Sequence, residues 1–143
     1  MNPLDSYIKD RLDELSAKIG ALLEADVVSI TGPLLSGVDR MLRLAIDRQP
    51  QPLLKKVCRF LDTPGGVVST IERMVSVIRY TGAEMSVIVP DKAMSAGTIS
   101  ALSANRILKD PFSMLGPIDP HFEEYGDLVP ALAYLNQFRW LNE

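Results

Sequence analysis

Apolar positions along the chain follow two alternating periods, one near 3.6 residues and one near two, and the switches between them mark out the elements. Leu4, Ile8, Leu12, Leu15, Ile19 and Leu22 recur at three- and four-residue steps. They stand behind Asn2-Pro3, an N-cap followed by proline at the first helical position, and predict an amphipathic helix over residues 1–24. Val27-Val28-Ser29-Ile30 is a short β-rich run ended by Gly32-Pro33, after which Val38, Leu42, Ala45 and Ile46 keep helical spacing. Gln49-Pro50-Gln51-Pro52 breaks that helix. Residues 57–61 predict a second strand, and Gly65-Gly66 turns it into a helix carrying Val67, Ile71, Met74, Val75 and Ile78.

A third strand is expected over 85–89, stopped by Pro90, and a run of small residues over 93–104 places Ile99 and Leu102 at helical spacing. Small side chains let such a helix lie close on a sheet. Residues 105–109 predict one more short strand, whereas Leu115-Gly116-Pro117-Ile118-Asp119-Pro120 is too rich in proline and glycine for regular structure and predicts a loop. From Leu128 onward, Leu132, Leu135, Phe138 and Leu141 predict a C-terminal helix over 128–143. Strands alternating with helices define an α/β fold with a mainly parallel sheet and crossover helices. No repeat or long linker divides the chain, so residues 1–143 form one domain with its core over 27–122.

Composition narrows the classes of function. A chain of 143 residues that is 47% hydrophobic and 23% charged can bury a real core. The formal charge of −3, with no dense cluster of Lys and Arg, argues against nucleic acid as a partner. No apolar stretch approaches the roughly 20 residues that span a bilayer, and the N-terminus reads as a charged amphipathic helix, so no membrane insertion and a cytoplasmic location are expected. The single cysteine, Cys58, lies inside an apolar run and is expected to be a buried packing residue.

Two segments carry chemistry. Asp62-Thr63-Pro64-Gly65-Gly66 places two glycines where a strand turns into a helix, so that bare backbone N–H groups can face a ligand oxygen. Met94-Ser95-Ala96-Gly97-Thr98 offers a hydroxyl in the same setting. Together they suggest a serine nucleophile facing an oxyanion hole. The competing reading is that Ser95 only caps the small-residue helix, because serine is a favoured N-cap. His121 is the only histidine, and Asp119 has a second reading as a turn residue ahead of proline. Lys92 and Lys109 read as solvated surface charges.

The stretch from Ile30-Thr31-Gly32-Pro33, through Phe60-Leu61-Asp62-Thr63-Pro64-Gly65-Gly66, to Ala93-Met94-Ser95-Ala96-Gly97 resembles the Clp protease proteolytic subunit and signal peptide peptidase A, which share the ClpP/crotonase fold. More narrowly, Ser95-Ala96-Gly97-Thr98 with Leu115-Gly116-Pro117-Ile118-Asp119-Pro120 resembles the serine dehydrogenase proteinase family. The resemblance implies that Ser95 is the nucleophile, that the N–H groups of Gly66 and Ala96 form the oxyanion hole, and that Gly65 and Gly66 line the substrate. It further implies His121 as general base and Asp119 as the acid of a Ser, Asp, His triad, with Asp127 as an alternative acid. No cofactor or metal enters this chemistry.

Clp-type proteases take their acid from farther along than this chain runs, and signal peptide peptidase A uses a lysine distant from its serine. Either another chain therefore completes the site, or hydrolysis has been lost. Three functions follow: a serine peptidase working through an acyl-enzyme on a polypeptide substrate, a catalytically incomplete scaffold that binds a protein partner, and a crotonase-type acyl-CoA enzyme. The serine at position 95 counts against the last. Relatives of this fold assemble as rings or stacked trimers, and Phe138, Trp140 and Leu141 do not share one helix face, so a homo-oligomer is expected. The N-terminal helix is a second candidate contact, for a regulatory protein subunit.

Overall fold

A computed structural model describes residues 2–48 and 55–118, together with the backbone of 121–124 and 127–130. It opens on helix α1 (Pro3–Leu23), which begins where the sequence places it: the Asn2 side chain accepts from Leu4 N–H at 3.2 Å, and Pro3 takes the position where a missing N–H does no harm. The αβ units follow in order, with β1 (Asp26–Thr31), α2 (Val38–Asp47), β2 (Lys56–Asp62), α3 (Val68–Tyr80) and β3 (Glu84–Val89). Next come the two-residue strand β4 (Lys92–Ala93), the short helix α4 (Ala96–Leu102) and β5 (Arg106–Lys109).

Strands β1, β2, β3 and β5 form one parallel sheet in that order. The register sets Ile30 beside Leu61, and Arg59 beside Val28 on one side and Val87 on the other, so these side chains share a face. That face carries the core. Val57, Leu61, Met85, Val87 and Val89 are buried there against Leu42 of α2, Ile71, Met74 and Ile78 of α3, and Ala96 and Ala101 of α4. Each large aliphatic side chain so buried contributes roughly 1.5–3 kcal/mol. The opposite face meets α1, where Ile8, Leu12, Val27, Ser29 and Phe60 help line a groove of about 590 Å³. Cys58 also points to that face and is fully buried.

Two departures from the sequence reading concern the later part of the chain. Met114–Leu115 forms a short strand, β6, paired in parallel with β4, although Leu115 reads as loop beside its glycine and proline. Backbone pairing to Lys92 and Ala93 supplies what local propensity does not. Leu128, Val129 and Pro130, expected to open the C-terminal helix, instead lie in β8 (Asp127–Pro130), antiparallel to β7 (His121–Glu124). Leu128 pairs with Glu123 and Val129 with Phe122, so tertiary pairing overrides the helical spacing at this point. The rest of that expected helix, with Phe138, Trp140 and Leu141, lies outside the described residues, as does the break at 49–52.

Candidate active site

Just past the carboxyl end of β2, Thr63 pairs with β4. Its N–H donates to the Lys92 carbonyl at 2.9 Å and its carbonyl accepts from Met94 N–H at 3.0 Å, which makes a parallel bridge between Thr63 and Ala93. The Thr63 hydroxyl oxygen accepts from Gly65 N–H at 3.0 Å and so shapes the turn through Pro64. The Asp62-Thr63-Pro64-Gly65-Gly66 motif by itself gives Thr63 no role; its place two residues before a turn glycine is the signal that marks it. Beyond the turn, Leu34 N–H donates to the Gly65 carbonyl at 2.8 Å and Val67 N–H to the Leu34 carbonyl at 2.9 Å. These two bonds bracket Gly66, so its own N–H faces away from Leu34.

Ser95 stands at a sharp strand-to-helix turn. Its backbone is at φ 50° and ψ −120°, a conformation that L residues rarely adopt, and its side chain makes no capping hydrogen bond to α4. The capping reading of this serine therefore finds no bond to rest on. Ser95 is half-buried, and its hydroxyl has no partner among the described residues. Next to it, Gly97 N–H donates to the Met94 carbonyl at 2.8 Å and Thr98 N–H to the Ser95 carbonyl at 2.9 Å. The N–H groups of Ala96 and Gly66 have no acceptor among the described residues.

The two glycine-bearing segments meet. A Cβ placed on Gly65, whose φ is +109°, would stand 2.7 Å from the Met94 carbonyl oxygen, 3.0 Å from Ser95 Cβ and 3.5 Å from Ala96 N. Only a residue without a side chain fits. On the other flank, Thr98 Oγ1 lies 2.6 Å from the Ala93 carbonyl oxygen and 3.0 Å from that of Gly116, tying α4 to the segment after β6. Gly116 in turn packs against Met94, where a Cβ would come within 2.5 Å of Met94 Cε. The sequence motif gives Thr98, like Thr63, no role of its own, because threonine inside a small-residue helix gives no signal of the carbonyls it will reach.

Asp119 lies outside the described residues, and His121 and Asp127 are placed as backbone in β7 and β8. Lys92 is half-buried with its ammonium 3.9 Å from Asp91, and Lys109 donates to the carbonyls of Asp110 and Ser113. Neither lysine bonds to Ser95. Below the site, Arg59 is fully buried and desolvation pulls its pKa down to about 10. Burial likewise pushes the Cys58 thiol up, against the opposing effect of a hydrogen bond with Ser86. Among the described residues, no helix is long and apolar enough to cross a membrane.

The mainly parallel sheet with its crossover helices is a ClpP-like α/β fold. The family described as ClpP-like SDH-type serine proteinase matches residues 35–137, and the chain belongs to it. Two proteins of Methanocaldococcus jannaschii are similar in sequence. MJ0137, uncharacterized, is 39% identical over 74 residues, which is 52% of this chain and 26% of that protein. MJ1495, also uncharacterized, is 31% identical over 99 residues, 69% of this chain and 30% of that protein.

Among solved structures, the 1510-N membrane-bound stomatin-specific protease superposes twice. Its serine-to-alanine mutant gives a TM-score of 0.62 at 23% identity over 79% of this chain and 57% of that one. Its lysine-to-alanine mutant, in complex with a substrate peptide, gives 0.62 at 27% identity over 78% and 54%. The chain thus spans less than a third of these curated relatives and just over half of these structures.

Proposed function

We propose that the chain is a serine peptidase that cleaves polypeptide through an acyl-enzyme. The Ser95 hydroxyl, held out of any capping bond at the turn that Gly65 packs against, carries the proposal. Its Oγ attacks the scissile carbonyl carbon while the proton passes to the His121 imidazole, with Asp119 orienting that ring. The tetrahedral oxyanion is met by the N–H groups of Gly66 and Ala96, whose freedom from backbone acceptors fits the role. Preorganised donors of this kind contribute about 3 kcal/mol each to the transition state. The proton then moves from His121 to the leaving amine, and water hydrolyses the ester on Ser95.

Support for His121 comes from chain path. The segment leading to it leaves from Gly116, which Thr98 and Met94 hold beside the serine turn, and five residues reach at most about 17 Å. The peptide bound by the structurally similar stomatin-specific protease supports a polypeptide substrate. We further propose self-association: α1 has no buried residue, and Leu4, Tyr7, Leu12 and Leu22 are exposed along it. Sedimentation velocity tests that part.

Labelling with a fluorophosphonate probe tests the chemistry. Wild-type protein is expected to label, and Ser95→Ala and His121→Ala to lose the label. Failure of the folded wild-type protein to react in any assembly state overturns the peptidase reading in favour of the partner-binding scaffold.

A further inference from the structure

Arg59 sits in the middle of β2 with no exposed surface, and every side-chain hydrogen bond it makes among the described residues goes to α4 or to Ser103, the residue that caps its carboxyl end. Its Nη1 donates to Ser100 Oγ at 2.8 Å, and its Nη2 to the Ser100 carbonyl at 2.7 Å and to Ser103 Oγ at 3.1 Å. No carboxylate pairs with it among the described residues, and its Nε–H has no acceptor there. A hydrocarbon side chain would pack in that layer without the desolvation a guanidinium suffers. What the guanidinium supplies is its bonds to one helix.

That helix begins immediately after Ser95 and is only 7 residues long, too short to hold its shape or place unaided. Its amino end is fixed by Gly97 against Thr63 and by the Thr98 hydroxyl. Its carboxyl end is fixed at the Ser100 carbonyl, which no N–H within the helix can reach and which accepts from Arg59 and, at 2.6 Å, from the Ser103 hydroxyl that Arg59 also holds, with Arg79 donating to the Ser103 carbonyl at 3.3 Å. At 1.5 Å per residue, Ser100 stands about 7.5 Å along the axis from Ser95, so the helix transmits any slip at Arg59 to the turn.

We infer that Arg59 is a positioning residue for the nucleophile: by clamping the carboxyl end of α4 it sets where the Ser95 hydroxyl and the Ala96 N–H stand. The inference rests on the peptidase reading of Ser95. A displacement of about 1 Å at reacting groups lowers rates on the order of a hundredfold.

The test uses the full chain with Arg59→Met, Arg59→Lys and the double variant Ser100→Ala/Ser103→Ala, measuring the second-order rate of fluorophosphonate acylation alongside amide hydrogen exchange and thermal unfolding. Arg59→Met is expected to react about a hundredfold more slowly. Its amides in α4 should exchange at least about tenfold faster while those of β2 and β3 keep their protection. Arg59→Lys, which retains one donor for the Ser100 carbonyl, should recover part of the rate. If Arg59→Met does not fold, the double variant, which leaves Arg59 only that carbonyl, is expected to show the same selective loosening and slowing.

Protection lost evenly across sheet and helix, or α4 loosened with acylation unchanged, overturns the inference. A wild-type protein that is not acylated overturns the peptidase reading and with it the catalytic part of this inference; the exchange pattern then decides whether Arg59 clamps α4.

Discussion

Gly65 and Ser95 touch across two segments that are remote in sequence, with an added Cβ on the glycine falling 3.0 Å from Ser95 Cβ and 2.7 Å from the Met94 carbonyl oxygen. The nearest atom is backbone, the Met94 carbonyl oxygen. Thr63 organises the contact from both sides, holding Gly65 N–H through its hydroxyl and Met94 N–H through its carbonyl. A serine turn and an oxyanion turn built this way share one rigid support.

Gly65→Ala is therefore expected to lose more than backbone freedom. The φ of +109° strains any side chain, and the carbonyl of Met94 is backbone that cannot rotate away. The expected loss of stability is about 2–4 kcal/mol, with fluorophosphonate labelling reduced at least tenfold in whatever fraction stays folded. Urea unfolding and labelling kinetics on the same sample check it. Stability within about 0.5 kcal/mol of wild type would refute the contact.

Gly97→Ala inverts a usual rule. In an exposed helix interior this change stabilises by about 1 kcal/mol, but here the new methyl falls 2.4 Å from Thr63 Cγ2, in a fully buried site. A net loss of about 1–3 kcal/mol is expected from overpacking. Thr63→Ser removes Cγ2 and keeps the hydroxyl that Gly65 needs, so the double variant should recover part of that loss. A double-mutant cycle from denaturant melts measures the coupling, and additivity would argue against it.

The parallel sheet was legible because each of its strands is a short apolar run bounded by turn residues, and each helix a period of three and four. The serine and glycine turns were legible for the same reason: they sit where those periods switch. Arg59 was not. A charged residue within Val57-Cys58-Arg59-Phe60-Leu61 gives no local sign that Ser100 and Ser103, on the far side of a helix and a strand, will receive it. Leu128 and Val129 misled through spacing, since their pairing with Glu123 and Phe122 is a tertiary fact that periodicity does not carry. Thr63 and Thr98 act through backbone carbonyls and amides, which have no identity in a sequence.

Acid should destabilise the fold through two named carboxylates. A side-chain hydrogen bond from Arg73, 2.8 Å away, chiefly holds Asp39 below the ordinary aspartate value of 3.8. The Phe112 N–H, followed by Ser113, does the same for Asp110. A carboxyl whose folded pKa is depressed adds stability that is present above its unfolded value and disappears as pH falls through the folded one. Melting temperature should accordingly drop on going from about pH 5 to about pH 2.5, and less steeply in Asp39→Asn/Asp110→Asn. Identical slopes for wild type and double variant would remove these groups from the account.

Ser95 itself offers the sharpest separation of roles, because a cap and a strained nucleophile predict opposite orders of stability. Were the serine there to cap α4, replacing it by alanine would cost about 1 kcal/mol and by glycine a few tenths, leaving wild type the most stable of the three. Its side chain makes no such bond, and its φ of 50° with ψ of −120° belongs to glycine. Residues held in such regions carry on the order of 1–3 kcal/mol of strain, part of which glycine returns in lost backbone entropy. Ser95→Gly should therefore be more stable than wild type by about 1 kcal/mol, and Ser95→Ala close to wild type, since alanine keeps the strain and sacrifices no hydrogen bond. Both variants should be inert to the fluorophosphonate. Thermal melts of the three proteins decide it: glycine above serine means the turn stores strain for the hydroxyl, and serine above both means it caps a helix.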